Sequence, residues 1–260
     1  MRELKCGPVA VMDSGLGGIS VLRELVRAMP GEDFLYFGDS ANAPYGTKPT
    51  EEVRRLTFEA AQNLFDRGCK ALVVACNTAT AAAITQLRET WPQRIIVGVE
   101  PALKLALDRH QGGRVAVMGT NVTIREQKFQ DLMARFRGQG AVYPLACPGI
   151  VEFVERGERS GSALERLLRE ELAPALAEGP LDAVVLGCTH YPFVKKAIAQ
   201  VVGPAAEIVD GGEGTAREPR RRLAELNLLR TDGGAVAMEN SLNDPDILDL
   251  GWKLLRLPEL

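Results

Sequence analysis

Short apolar runs rich in Val, Ile and Ala recur along the chain, and between them lie longer segments whose apolar positions return every three or four residues. The runs fall at 9–12, 34–37, 70–75, 95–99, 114–118, 142–145, 183–188 and 207–209, and they read as strands buried on both faces. The amphipathic segments read as helices at 19–29, 51–67 with Thr50 as cap, from Asn77 onward, from Glu100 to His110, at 124–136, around Glu152 and Glu155, at 163–176 and at 213–226. Strands that alternate with helices predict an α/β protein of doubly wound, mainly parallel sheets wrapped by helices. Ligands of such sheets gather at the carboxyl ends of the strands.

The pattern also repeats. AVVLGCTHYP from Ala183 resembles ALVVACNTAT from Ala71, and the same interval separates Ala71 from Ala183, Cys76 from Cys188 and Ile95 from Glu207. Val9-Ala10-Val11-Met12 recurs as Val115-Ala116-Val117-Met118. Two pseudo-symmetric halves are therefore expected. Each ends a buried strand in a cysteine, and the two face one another across a cleft.

Composition narrows the reading. A chain of 260 residues can build one large α/β domain or two smaller ones. The net charge of −3 gives no basic surplus for nucleic acid. The opening MRELKCGPVAVMDSG has no charged leader before a long apolar stretch, and no run approaches the length that spans a bilayer. A soluble, cytoplasmic protein with reduced thiols and no membrane partner is expected. The five cysteines lack metal-ligand spacing and only two histidines accompany them, so no metal is expected.

The candidate chemistry sits where strands end. Two thiols approaching a ligand from opposite sides suit inversion of a carbon centre, because one base cannot reach both faces of a held substrate. A free thiol is only a few per cent ionised at neutral pH, so each needs a helper. Asp13 is the candidate for Cys76, although an Asp there also reads as an Asx turn or helix cap. His190, oriented by Glu155 or Glu152, is the candidate for Cys188. Ser14, Asn77, Thr78, Thr120, Thr123 and Thr189 stand at strand ends as donors for a carboxylate, and the turn Asp13-Ser14-Gly15-Leu16-Gly17-Gly18 opens a helix whose amides favour an anion. Cys6, Cys69 and Cys147 read as small core residues, His110 as structural or on the surface, and the arginines of 213–226 as a solvated face. The tail from Thr231 carries little signal beyond Trp252 and Leu254, which read as docking it.

The segments Asp13 to Gly18, Gly38-Asp39-Ser40 with Pro44-Tyr45-Gly46, Cys76-Asn77-Thr78-Ala79 and Gly187-Cys188-Thr189-His190-Tyr191-Pro192 resemble the glutamate racemase family, in the family's order. The resemblance implies a cofactor-independent enzyme that supplies D-glutamate for peptidoglycan. It implies that Cys76 takes the α-proton of D-glutamate and Cys188 that of L-glutamate, with Asp13 and His190 in support. Ser14, Pro44, Tyr45, Gly46, Asn77, Thr78 and Thr189 then correspond to substrate-binding positions. The family fold implies two α/β domains, 1–98 with 207–260 and 99–206, the C-terminal segment returning to the first; members often form homodimers. The chain departs from the family pattern at Arg125 to Phe129 and at Gly149 to Phe153. An aspartate or hydantoin racemase of the same superfamily and a non-catalytic amino-acid-binding protein are the alternatives, and His190 favours glutamate over aspartate.

Overall fold

The computed structural model of the protein describes residues 6–258. Residues 1–5, part of the stretch in which no leader was expected, and 259–260 lie outside the described residues. Strands β1 (Val9–Asp13), β2 (Phe34–Gly38), β3 (Ala71–Val74) and β4 (Ile95–Gly98) form one sheet, and β5 (Arg114–Gly119), β6 (Ala141–Ala146), β7 (Ala183–Leu186) and β8 (Glu207–Asp210) form a second. A ninth strand, β9 (Val236–Asn240), joins the edge of the first. The orders are β4-β3-β1-β2-β9 and β8-β7-β5-β6, and every pairing is parallel. The repeat in sequence is thus a repeat in topology.

The helices, in chain order, are α1 (Ile19–Ala28), α2 (Thr50–Asp66), α3 (Asn77–Thr90), α4 (Leu103–Arg109), α5 (Asn121–Arg125), α6 (Gln127–Arg135), α7 (Ile150–Glu155), α8 (Ser162–Leu176), α9 (Lys195–Val202), α10 (Gly212–Glu225) and α11 (Pro245–Leu255). Because side chains alternate along a strand, each strand feeds two cores. Ala10, Met12, Leu72, Val74 and Ile96 pack with α2 and α3, whereas Val9, Val11, Val73 and Val97 point into a core that continues through Ala116, Met118, Val184 and Leu186 of the second sheet. One face of each sheet therefore shares a single apolar interior, which fixes how the strand ends of the two sheets confront one another.

Several local expectations change. Glu126 is extended at φ −65°, ψ 145°, so the expected helix at 124–136 is split into α5 and α6. Thr50 is the first residue of α2 and caps nothing; its hydroxyl bonds instead to the Glu126 carboxylate of the other half. Glu207–Asp210 pairs with β7 in the second sheet, so the return to the first sheet begins later than residue 207. The tail builds β9 and α11, with Leu254 buried and Asn240 Nδ2 donating to Ser40 Oγ at 2.7 Å. Cys69 and Cys147 are buried but Cys6 is exposed, because it precedes the first strand. His110 pairs with Glu207 at 2.7 Å, and Arg217 and Arg221 pair with glutamates of their own exposed helix. Among the described residues no helix is long and apolar enough to cross a membrane.

Candidate active site

In each sheet the chain leaves the central strands in opposite directions, between β1 and β3 in one and between β5 and β7 in the other. This is where doubly wound sheets open a crevice beyond their strand ends. The two crevices meet. A cavity of about 40 Å³ lies between them, lined by Ser14 and Cys76 from one half and by Thr120, Cys188, Thr189 and His190 from the other. Pro44, Tyr45, Gly46, Asn77 and Thr78 complete the set that the sequence pointed to. Asp13, Thr123 and Glu155 stand behind this lining and are bonded to residues within it.

Cys76 caps α3. Its backbone is extended (φ −98°, ψ 121°), and its sulfur accepts the Ala79 N–H at 3.4 Å while the thiol donates to Ser14 Oγ at 3.6 Å. The helix needs an acceptor at this position, and the apolar run before it delivers a thiol. Burial, followed by the nearby Asp13 charge, pushes this thiol up to about 12.

Asp13 makes no hydrogen bond to Cys76. Oδ1 accepts the Gly15 N–H at 3.0 Å, which is the Asx turn, and Oδ2 accepts from the Thr189 hydroxyl of the other half at 3.1 Å. Burial raises its pKa, against the opposing charge of His190 and the Gly15 amide. Asp13 therefore acts on Cys76 through charge. Asp13→Asn removes a negative charge beside the thiol, so at a fixed pH below about 12 a larger fraction is thiolate. Alkylation of Cys76 by iodoacetamide, followed by peptide mass spectrometry, should accelerate by about three- to tenfold. An unchanged or slower rate would exclude the charge coupling.

Cys188 has a different neighbourhood. Its sulfur lies 3.7 Å from His190 Nδ1, and His190 Nε2 lies 2.6 Å from Glu155 Oε1. Glu155, not Glu152, is thus the carboxylate that orients the imidazole. Burial alone would lower the His190 pKa, but its bonds to Cys188 and Glu155 outweigh this and hold it well above 6.5. Burial likewise opposes ionisation of Glu155, and the bond and charge of His190 together with the Leu16 amide bring its pKa below the usual value. The Leu16 N–H donates to Glu155 Oε1 at 2.7 Å. The anion expected at the glycine turn is therefore the protein's own carboxylate.

The glycines of that turn are spacing devices. A Cβ on Gly15 would sit 2.2 Å from Glu155 Oε1, one on Gly17 2.3 Å from His190 Nδ1, and one on Gly18 2.6 Å from the Asp13 Cβ. Gly46 serves the same end, since a Cβ there would meet Thr120 at 2.8 Å. Thr78, Thr120 and Thr123 form a hydroxyl triangle across the halves, with Oγ1 separations of 2.9, 3.4 and 3.0 Å. The Tyr45 hydroxyl donates to Asp39 at 2.6 Å, which fixes the ring against the cavity. Asn77 Oδ1 is buried without a protein partner, an acceptor left for a ligand N–H.

Cys147, read as core, also lines the cavity, as do Asn121, Val151 and Glu152. A second cavity, of about 290 Å³, shares Asn77, Cys188 and Thr189 with the first and adds Ser20, Lys195 and Asp210. It is larger, but only the smaller cavity is lined by both strand-end thiols. Among the described residues no three His, Cys, Asp or Glu side chains are grouped to hold a metal ion.

Two thiols, Cys76 beside a carboxylate that opposes its ionisation and Cys188 beside an imidazole, face one small cavity from matched strand ends and define a racemase-type site. Residues 9–218 match the family model described as Asp/Glu/Hydantoin racemase, and the chain belongs to that family. It is 46% identical over 257 residues to the glutamate racemase of Clostridium perfringens, covering 98% of both chains. Its structure is similar to that of Francisella tularensis glutamate racemase in complex with D-glutamate (TM-score 0.85, 27% identity, 98% of this chain and 96% of that one). It is also similar to Escherichia coli glutamate racemase in complex with L-glutamate and the activator UDP-MurNAc-ala (TM-score 0.80, 28% identity, 96% and 92%).

Proposed function

We propose that the chain interconverts L- and D-glutamate by a two-base mechanism without cofactor or metal, with Cys76 and Cys188 as the catalytic residues. The observation that carries this reading is that both thiols line one cavity from opposite sheets. Relatives that bind D-glutamate and L-glutamate support the choice of substrate.

In this reading the substrate ammonium takes the free Asn77 Oδ1, and the α-carboxylate takes hydroxyls of the Thr78 and Thr120 pair together with Thr189. The ammonium brings positive charge beside Cys76, whose thiol is otherwise held near 12. From D-glutamate, the Cys76 thiolate takes the α-proton, the electron pair delocalises into the carboxylate, and the Cys188 thiol returns a proton to the opposite face. The imidazolium of His190, held by Glu155, stabilises the thiolate left on Cys188. From L-glutamate the same steps run in reverse. At about 40 Å³ the cavity has room for about three waters, so the halves part to admit an amino acid.

Both thiols must stay reduced, which suits a cytoplasmic enzyme. Supply of D-glutamate for peptidoglycan and self-association as a homodimer belong to the same reading; light scattering of the purified chain tests the latter. The decisive experiment is incubation of chelator-treated protein in D2O with L- or D-glutamate, following optical rotation and α-deuterium. Deuterium should enter the α-position as rotation is lost. Binding without exchange would leave only an amino-acid-binding protein, and faster turnover of aspartate or a hydantoin in parallel incubations would move the substrate assignment.

A further inference from the structure

The ionisable groups beside each thiol belong to the same half as that thiol, yet the hydrogen bonds that hold them cross between halves. Glu155 Oε1, beside His190, is held by the Leu16 N–H of the first half at 2.7 Å. Asp13, beside Cys76, is held by the Thr189 hydroxyl of the second half at 3.1 Å. A further crossing bond comes from a residue that does not take part in the proposed reaction. Ser20 Oγ, on the first turn of α1, lies 2.8 Å from Thr189 O and 2.9 Å from Gly17 O, its single proton shared between them. Ser20 and Thr189 are both buried.

Thr189 O belongs to the short stretch of backbone that joins Cys188 to His190. A buried carbonyl needs a donor, and Ser20 supplies it at the wall of the 290 Å³ cavity, which Ser20, Cys188 and Thr189 all line. Deprived of this donor, the carbonyl turns toward that cavity to be solvated. The turn carries the imidazole away from a sulfur that it meets at only 3.7 Å. Gly17, the other acceptor of the same hydroxyl, is the residue against which the His190 ring is packed.

We propose that Ser20 is a positioning residue for Cys188: its hydroxyl locks the Cys188–His190 backbone to the glycine turn of the opposite half, so that this thiol is prepared only when the halves are docked. Its consequence for turnover rests on the racemase reading. The crossing bonds also make the two thiols interdependent, since the half that carries Cys76 holds the helpers of Cys188.

The test uses the full chain without substrate, so its failure is separate from any failure of glutamate turnover. Wild type, Ser20→Ala and Ser20→Thr are treated with iodoacetamide at one mildly alkaline pH, and the Cys76 and Cys188 peptides are quantified over time. Because Cys188 shares its surroundings with His190, Cys76 and Cys147, each thiol is read separately. Ser20→Ala should slow Cys188 alkylation by about fivefold, the factor matching one ordinary hydrogen bond, and should not slow Cys76 to the same extent. Ser20→Thr keeps the hydroxyl, has the cavity beside it for the added methyl, and should restore the wild-type ratio. General loosening would act with the opposite sign, speeding both thiols together. That result, an unchanged Cys188 rate in Ser20→Ala, or failure of Ser20→Thr to differ from it, overturns the proposal. Ser20→Cys, close in volume and a weak donor, carries the same expectation should Ser20→Ala not fold.

Discussion

Cys188→Ala should abolish racemisation of glutamate in both directions, with a loss of about 10²- to 10⁴-fold. Each turnover needs one thiol to take the α-proton and the other to return one, so removing either stops inversion whichever enantiomer is supplied. Proton exchange without inversion can survive at the remaining thiol. In D2O, residual α-deuterium should therefore enter D-glutamate with Cys188→Ala and L-glutamate with Cys76→Ala. Chiral chromatography with mass detection measures both quantities. Substantial racemisation in either variant would sink the two-thiol mechanism, and exchange of both enantiomers by one variant would sink the assignment of thiols to faces.

Gly17→Ala should be nearly as damaging, although it alters no group that touches the substrate. The new methyl would lie 2.3 Å from His190 Nδ1 and 2.5 Å from Cε1, so the imidazole must leave its place between Cys188 and Glu155. A drop in kcat of about 10²-fold is expected, the lower end of what a general acid or base contributes. Gly214→Ala is the control: nothing lies within 4 Å of that added carbon, and a helical Gly-to-Ala change of this kind is neutral or mildly stabilising. Combining Gly17→Ala with His190→Ala distinguishes mechanism from misfolding. If the glycine acts by making room for the ring, it loses most of its effect once the ring is gone. Additive losses would contradict that role.

Strand ends and thiols were legible in the sequence because buried parallel strands are written as continuous apolar runs. The repeat placed Cys76 opposite Cys188 before any sheet order was known. Glu155 could not be separated from Glu152, because residues three apart share a helix face and only the packing of α7 decides which meets His190. The roles of the Leu16 amide and of Ser20 were hidden for a different reason. A main-chain donor leaves no trace in residue type, and a serine on an apolar helix face reads like any other small residue. The strand β9 carries a short apolar run, Val236-Ala237-Met238, but it gives way at once to Glu239-Asn240 and falls outside the two matched halves, so it reads as part of a mixed tail. The break at Glu126 leaves no mark in residue type, and the contact its carboxylate makes there, with Thr50, comes from the other half of the chain.

The matched sheet orders bear on the reaction in one more way. The halves correspond to one another by rotation, and both are made of L-amino acids, whereas the two enantiomers of glutamate are mirror images. No rotation converts a hand into its opposite, so the two bound complexes cannot be equivalent however well the strands superpose. Thr78 after Cys76, set against His190 after Cys188, is where this inequivalence is written into the chain. In free solution the enantiomers are equal in energy, so the ratio of kcat to KM must be the same in both directions at every pH. Any preference for holding one hand is then matched by slower turnover of that hand, and the chirality of the protein shows itself in kcat and KM taken separately, never in their quotient.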